Sequence, residues 1–258
     1  MDRSSVNILG VSIKNRTYDE IIDNIKRFLI SHNQNTVFTP NAEILYKASK
    51  DPEYRNTLNS ASMLIPDGIG VNLSMRILGV KSPRRQTGID IAEKVISYVS
   101  KKGLRIFLLG GKPEIAQKAK EKLEAKHEDL IICGTSHGYF DKEPHSAENR
   151  EIINKINQSK ADVVFVCFGA PMQELWISKN AGMLPQVRLF MGLGGCLDVW
   201  SESIPRAPKI IRLFCLEWLF RAFQDPKRFK RLPTLFKFLF SVIKQKRVKR
   251  HKRNLFTL

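Results

Sequence analysis

Cysteine is scarce and unpatterned in this chain of 258 residues. Cys133, Cys167, Cys196 and Cys215 form no C-x-x-C pair and no histidine-flanked ligand set, and three of them stand in apolar runs where a reduced thiol packs well. A disulfide scaffold and a zinc ribbon are excluded. No run approaches the roughly 18 apolar residues of a membrane-spanning helix, and the first residues, MDRSSVNILGVSI, lack a sustained apolar stretch ahead of a small-residue cleavage site. The chain reads as neither secreted nor spanning, and its mean hydropathy of -0.23 agrees.

Nucleotide and metal signatures are missing too. There is no G-x-G-x-x-G, since Gly192-Leu-Gly-Gly195 lacks the third glycine, and no G-x-x-x-x-G-K-[ST] loop. His32, His127, His137, His145 and His251 make no HExxH, and no Asp-x-Asp occurs that would chelate a nucleotide-bound cation. These absences disfavour NAD chemistry and point to a reaction needing neither metal nor cofactor.

What is abundant is positive charge, and it is unevenly placed. Of the net +18, residues 206–258 contribute +14, from 16 Lys and Arg against Glu217 and Asp225. One end of the molecule therefore expects an anionic partner: nucleic acid, lipid head groups or a phosphorylated substrate. The composition shift at Pro205-Arg206-Ala-Pro208 divides the chain into a core, 1–205, and a basic appendage, 206–258.

The core repeats one plan. Thr36–Thr39, Ser62–Ile65, Arg105–Leu109 and Asp162–Phe168 are apolar or β-prone runs ending in Pro40-Asn41, Pro66-Asp67-Gly68, Gly110-Gly111 and Gly169-Ala-Pro171. Helical periodicity fills 17–32, 42–48, 88–101, 113–126 and 146–159, the first opened by a Thr17/Glu20 capping-box pattern. Strands without polar alternation are covered on both faces, so the spacing predicts an α/β fold: a Rossmann-like, mostly parallel sheet with helices on both sides. Ligands bind such sheets beyond the carboxyl ends of the strands, where Thr39, Asn41, Asp67, Gly110, Gly111 and Gln173 lie.

Asp67, between a proline and a glycine, can project a carboxylate from a strand end and serve as general base; an Asx-turn explains it equally well. Gly110 and Gly111 allow backbone amides to approach a diphosphate. Arg221, Arg228 and Arg231 recur at helical intervals interrupted by Asp225-Pro226, and would converge on a diphosphate or form a solvated basic face. Segments 208–223 and 232–243 carry apolar faces, Ile211, Phe214, Trp218, Leu219 and Leu232, Leu235, Phe236, Leu239, Ile243, among basic residues. That pattern suits a helix lying in an anionic membrane surface, or core packing with a basic tail. Nucleic acid is disfavoured, because no helix-turn-helix or RNA-binding signature is present.

Set in order, the blocks Thr39–Glu43, Ile65–Gly70, Arg85–Asp90, Phe107–Gly111, Gly169–Glu174, Gly192–Gly195 with Asp198, and Arg206–Pro208 through Glu217-Trp218 and Arg221 to Pro226–Arg228 resemble the WecG/TagA/CpsF glycosyltransferase family. That family is typified by the wall teichoic acid N-acetylmannosaminyltransferases and the enterobacterial-common-antigen ManNAcA transferases. The resemblance implies a metal-independent, inverting transfer from a UDP-sugar to the 4-hydroxyl of GlcNAc on a polyprenyl diphosphate, with Asp67 as base. It implies that Thr39, Asn41 and Gln173 line the sugar and acceptor pocket, that Tyr139 and Asp198 lie near uridine, and that Arg206, Arg221, Arg228 and Arg231 grip diphosphate. A cytoplasmic enzyme peripheral to the inner membrane face follows. A UDP-glucose or UDP-uronic acid donor is the alternative within the family; outside it stands a non-catalytic membrane or nucleic-acid binding protein. An exposed apolar appendage would serve a homo-oligomer interface equally.

Overall fold

Runs such as Arg105–Gly110 and Val163–Cys167 present apolar side chains to both faces, so they are stable only when helices cover both sides of the sheet. The computed structural model, which describes residues 5–81, 87–208, 211, 217–224 and 232–255, shows that arrangement. A hairpin of β1 (Ser5–Ile8) and β2 (Val11–Lys14) leads into α1 (Tyr18–Ile30), β3 (Asn35–Phe38), α2 (Ala42–Lys50), α3 (Pro52–Asn59), β4 (Met63–Leu64) and α4 (Ile69–Ile77). Then follow α5 (Gly88–Lys101), β5 (Arg105–Gly110), α6 (Ile115–Lys126), β6 (Ile131–Ser136), α7 (Ala147–Ser159), β7 (Val163–Cys167), α8 (Met172–Asn180), β8 (Leu189–Gly192) and α9 (Cys196–Trp200). The basic end supplies α10 (Glu217–Gln224) and α11 (Leu232–Leu255).

Six strands pair in the order β4-β3-β8-β7-β5-β6, and every pairing in that sheet is parallel. Side chains alternate between two apolar clusters. Ile106, Leu108, Val163 and Phe165 point to one, closed by α1, α5, α6 and α9; Phe107, Leu109, Val164 and Val166 point to the other, closed by the hairpin, α2, α3, α4, α7, α8 and α11. The expected helices at 88–101 and 146–159 are present almost to the residue, and the Thr17/Glu20 capping box is formed in both directions. Cys133, Cys167 and Cys196 are reduced thiols, two of them buried; Cys215 lies outside the described residues.

The C-terminal helix is longer and more deeply seated than its composition predicts. The expected helix at 232–243 and the basic run after it form one element, and its Phe238 and Val242 are fully buried in the same cluster as Val6, Leu45 and Met75. Gln245 clasps the hairpin: its Oε1 accepts from Leu9 N at 2.9 Å and its Nε2 donates to Asn7 O at 2.8 Å. Gly70 on α4 makes the close approach possible, because a Cβ there would stand 2.8 Å from Leu235 and 2.9 Å from Ala42.

Candidate active site

Parallel pairing of β3 with β4 continues past the strand ends. Ile65 N donates to Phe38 O at 2.9 Å and Asp67 N donates to Pro40 O at 3.0 Å, which stitches the Thr39-Pro-Asn41 turn to the Pro66-Asp-Gly68 turn. Gly68, at φ +84°, then turns the chain into α4. Thr39, Asn41 and Asp67 consequently line one cavity of about 280 Å³, with Thr87, Gly88 and Leu193 of the core and Glu217, Ala222, Leu232 and Leu235 of the basic end.

Each polar group at this cavity has a defined local role. Asn41 caps α2 by accepting from Ile44 N at 3.0 Å, which leaves its side-chain NH2 group and one lone pair of Oδ1 for a ligand. Thr39 Oγ1 donates to Gly192 O at 3.4 Å and packs on Gly88, where a Cβ would come within 3.1 Å. Thr87 caps α5, with its hydroxyl donating to Asp90 at 2.6 Å. The amino ends of α2, α4, α5 and α9 all reach the cavity through Ala42, Ile69, Gly88 and Cys196. Their dipoles favour negative charge there, whether the Asp67 carboxylate or a diphosphate.

Among the helices that follow β4, β5, β7 and β8, namely α4, α6, α8 and α9, none takes a side-chain cap. Backbone acceptors engage part of these ends instead: Ile115 N at the start of α6 donates to Lys112 O at 3.2 Å, and Gln173 N in the first turn of α8 donates to Gly169 O at 3.2 Å.

A second group forms one strand away. β5 is followed by α6 on the way to β6, and β7 by α8 on the way to β8, so connections leave these neighbours in opposite directions and a crevice opens at their ends. Gly110 and Gly111 border it with positive φ of +137° and +70°. A Cβ on Gly110 would lie 2.5 Å from Cys167 O, so the close approach of β7 requires glycine there, and Gly111 N donates to that same carbonyl at 3.3 Å. Gly138 N donates to Gly111 O at 2.9 Å and places Tyr139, 66% exposed, beside the glycines. Lys142 braces this loop: it donates to Gly138 O at 2.6 Å and Phe140 O at 3.1 Å and lies over the rings of Phe140 and Phe168. Burial pushes its ammonium below the ordinary lysine range. Leu197 abuts Gly111, and Asp198, half-buried in the same first turn of α9, faces Gly195.

Gln173 does not line the cavity. It is buried behind it, with Oε1 accepting from Gly194 N at 2.9 Å and Gly169 N at 3.3 Å and Nε2 donating to Glu174 at 2.7 Å. Arg206 is drawn to α5, where its guanidinium pairs with Asp90 and with Glu93, the latter at 3.1 Å. Burial opposes its charge, but Asp90, Glu93 and Glu217 outweigh burial and raise its pKa. Arg221 falls in α10 with its side chain outside the described residues, as are Arg228 and Arg231 altogether.

Several cavity residues carry no sequence signal of their own. Thr87 is the exception, because Thr87 followed by Asp90 is a recognisable N-cap pattern. Glu217, Leu232 and Leu235 reach the cavity only through tertiary packing of the basic end.

Comparison with known proteins points to one family. The family described as "Glycosyl transferase WecG/TagA/CpsF family" matches residues 6–252. A Bacillus spizizenii N-acetylglucosaminyldiphosphoundecaprenol N-acetyl-beta-D-mannosaminyltransferase is 33% identical over 211 residues, 82% of this chain and 79% of the relative. A Staphylococcus aureus protein of the same name is 31% identical over 246 residues, 95% of this chain and 94% of its own. With a parallel sheet whose carboxyl edge holds the matched blocks, and a family match spanning nearly its whole length, the chain belongs to the WecG/TagA/CpsF glycosyltransferases.

Proposed function

We propose that this glycosyltransferase moves an N-acetylmannosamine-type sugar from a UDP donor to the 4-hydroxyl of GlcNAc on a polyprenyl diphosphate, with inversion and without a metal. The observation that carries the reading is the convergence of Asp67, Thr39 and Asn41 on one cavity ringed by helix amino ends. Asp67 takes the hydroxyl proton as that oxygen attacks the anomeric carbon, the bond to the β-phosphate oxygen breaks, and UDP leaves. Negative charge growing on the diphosphate is met by the helix amino ends that reach the cavity and by Arg221, Arg228 and Arg231. Tyr139 and Asp198, beside the second crevice, receive the uridine. Arg206, paired with α5, holds the start of the segment after residue 205 against the core.

The acceptor's lipid argues for a membrane-surface enzyme. Among the described residues no helix is long and apolar enough to cross a bilayer. Yet α11 exposes Phe236, Phe240 and Ile243 at i, i+4 and i+7, with Lys237, Lys244, Lys246 and Arg247 also exposed, while Ile69 and Leu73 are exposed on neighbouring α4. Aromatic and cationic side chains together suit an anionic head-group region. The core up to residue 205 and the basic end thus act as donor platform and membrane-facing wall of the acceptor cavity.

The test is UDP release from UDP-N-acetylmannosamine, with and without a short-chain prenyl-diphosphate GlcNAc. Acceptor-dependent release is expected, with β-linked product and full rate in chelator. Release from UDP-glucose or a UDP-uronic acid alone would replace the donor; release from no UDP-sugar would overturn the reading.

A further inference from the structure

Glu174 is the most deeply placed carboxylate in the described part of the molecule, at 1% exposure, and the reaction scheme above does not use it. A carboxylate so placed carries a desolvation penalty that only good hydrogen bonds offset. Glu174 has two from other side chains, one on each oxygen: Tyr54 Oη on α3 donates to Oε2 at 3.0 Å, and Gln173 Nε2 donates to Oε1 at 2.7 Å.

We propose that Glu174 and Tyr54 are positioning residues for sugar transfer, acting through Gln173 to hold the Gly192–Gly195 turn against Thr39 and the cavity. The inference rests on the transferase reading above. An ionised carboxylate only accepts, so it turns the Gln173 amide with nitrogen toward itself and oxygen away. That leaves one atom, Gln173 Oε1, to accept from two backbone amides, Gly194 N at 2.9 Å and Gly169 N at 3.3 Å. Both belong to glycines with positive φ, +55° and +80°, in the turns that follow β8 and β7.

The turn after β8 forms part of the cavity wall. Gly192 O receives the Thr39 hydroxyl at 3.4 Å, Leu193 lines the cavity, and α9 starts at Cys196. There is no slack behind it, because a Cβ on Gly192 would come 3.0 Å from Gln173 Nε2 and 3.2 Å from Phe38. A rotation of the Gln173 amide would therefore move the backbone that anchors Thr39. Gln173 acts on the sugar from behind the wall, and Glu174 sets the direction in which it acts.

The experiment compares the full-length chain with Gln173→Ala, Glu174→Ala, Glu174→Gln, Tyr54→Phe and the Gln173→Ala/Glu174→Ala double variant. Its readouts are kcat and donor KM from UDP release, and amide hydrogen exchange at residues 169 and 192–195. Expected are losses in kcat of about tenfold or more for each alanine variant, with donor KM changed by less than about threefold, and a double variant no slower than the worse single one. Glu174→Gln, which keeps an acceptor facing Gln173, should restore kcat to within about threefold of the parent. Tyr54→Phe removes one hydroxyl from a packed ring and should lower kcat in the same direction, which keeps the test intact if an alanine variant does not fold. Faster exchange at Gly169 and Gly194 should accompany each loss of kcat.

Full turnover in Glu174→Ala or Tyr54→Phe, additive losses in the double variant, or a Gln173→Ala defect confined to donor KM would overturn the proposal. If the parent releases UDP from no sugar donor, the transferase reading fails separately. Hydrogen exchange then decides the network alone, and unchanged exchange at Gly169 and Gly194 in Glu174→Ala would refute it.

Discussion

Asp67 illustrates how far one residue can be read and where reading stops. Its place between Pro66 and Gly68 at a strand end marks it as a base or as a turn former, and only the backbone tie to Pro40 shows it sharing a cavity with Thr39 and Asn41. Asp67→Asn keeps size and polarity while removing the base, so kcat should fall by roughly 10² to 10⁴ with little change in donor affinity. Single-turnover sugar transfer against donor binding measures both, and an undiminished rate would remove Asp67 from the chemistry. Gln173 shows the opposite limit: its block is recognisable, but nothing local reveals that its amide is consumed by two glycine backbones and Glu174. Glu174 also has a signature in pH. Burial, outweighing the hydrogen bonds from Gln173 and Tyr54 and the charge of Lys47 on α2, raises its carboxyl above the ordinary value of the unfolded chain. Between those two values the folded protein holds a proton that the unfolded chain has lost, so stability falls as pH rises through the window and the penalty is complete above it. Glu174→Gln should therefore have the higher Tm at neutral pH, with its advantage shrinking as pH drops toward about 4. Thermal unfolding of both proteins across pH 4 to 8 checks this, and a variant less stable throughout would show that the ionised form is favoured in the fold.

Elements were legible where one physical signal dominated. The unbroken apolar runs that became β5 and β7 could only sit between two helical layers, and α5 carries seven buried residues at helical spacing behind a Thr87 cap. Other elements lacked such a signal. β6 is an edge strand with Gly134 and mostly half-exposed residues, and a Cβ on that glycine would strike Phe107, so neither alternation nor an apolar run announces it. α8 has no one-sided apolar face, because its buried side includes Gln173, Glu174 and Asn180. They are satisfied at long range: Trp176 Nε1 donates to Asn149 at 2.7 Å and Asn149 donates to Asn180 at 2.8 Å. The seating of α11 was hidden for the same reason, since its partners are some 240 residues away in sequence. Gln245→Ala removes both hydrogen bonds to the hairpin, which at about 0.5–1.5 kcal/mol each should lower stability by about 1–2 kcal/mol and loosen α11. Because Leu232 and Leu235 of that helix wall the cavity, acceptor KM should rise as well. Urea unfolding and acceptor titration read the two effects, and a loss of stability without any change in acceptor KM would mean that the clasp does not govern the cavity wall.

At the scale of the whole molecule, the basic end faces two ways. Phe238 and Val242 point inward and complete a cluster with the hairpin, α2 and α4, whereas Phe236, at 69% exposure, and Phe240, also 69%, point outward two residues away. Removing everything after residue 205 would therefore confound membrane binding with loss of core, so the division of labour is better tested by point changes on opposite faces. Phe238→Ala empties a fully buried site and should destabilise the fold by about 3–5 kcal/mol. Phe236→Ser with Phe240→Ser should leave unfolding nearly unchanged but weaken sedimentation with phosphatidylglycerol vesicles. That loss should appear against vesicles and not against a detergent-dispersed short-chain acceptor, because the cavity is untouched. Attraction from Lys237, Lys244, Lys246 and Arg247 is screened over about 10 Å at 0.1 M salt, so added salt should release the parent protein from vesicles, and zwitterionic vesicles should bind it less. Full vesicle binding by the double serine variant, together with a change in its oligomeric state, would instead make this face a contact between copies of the chain.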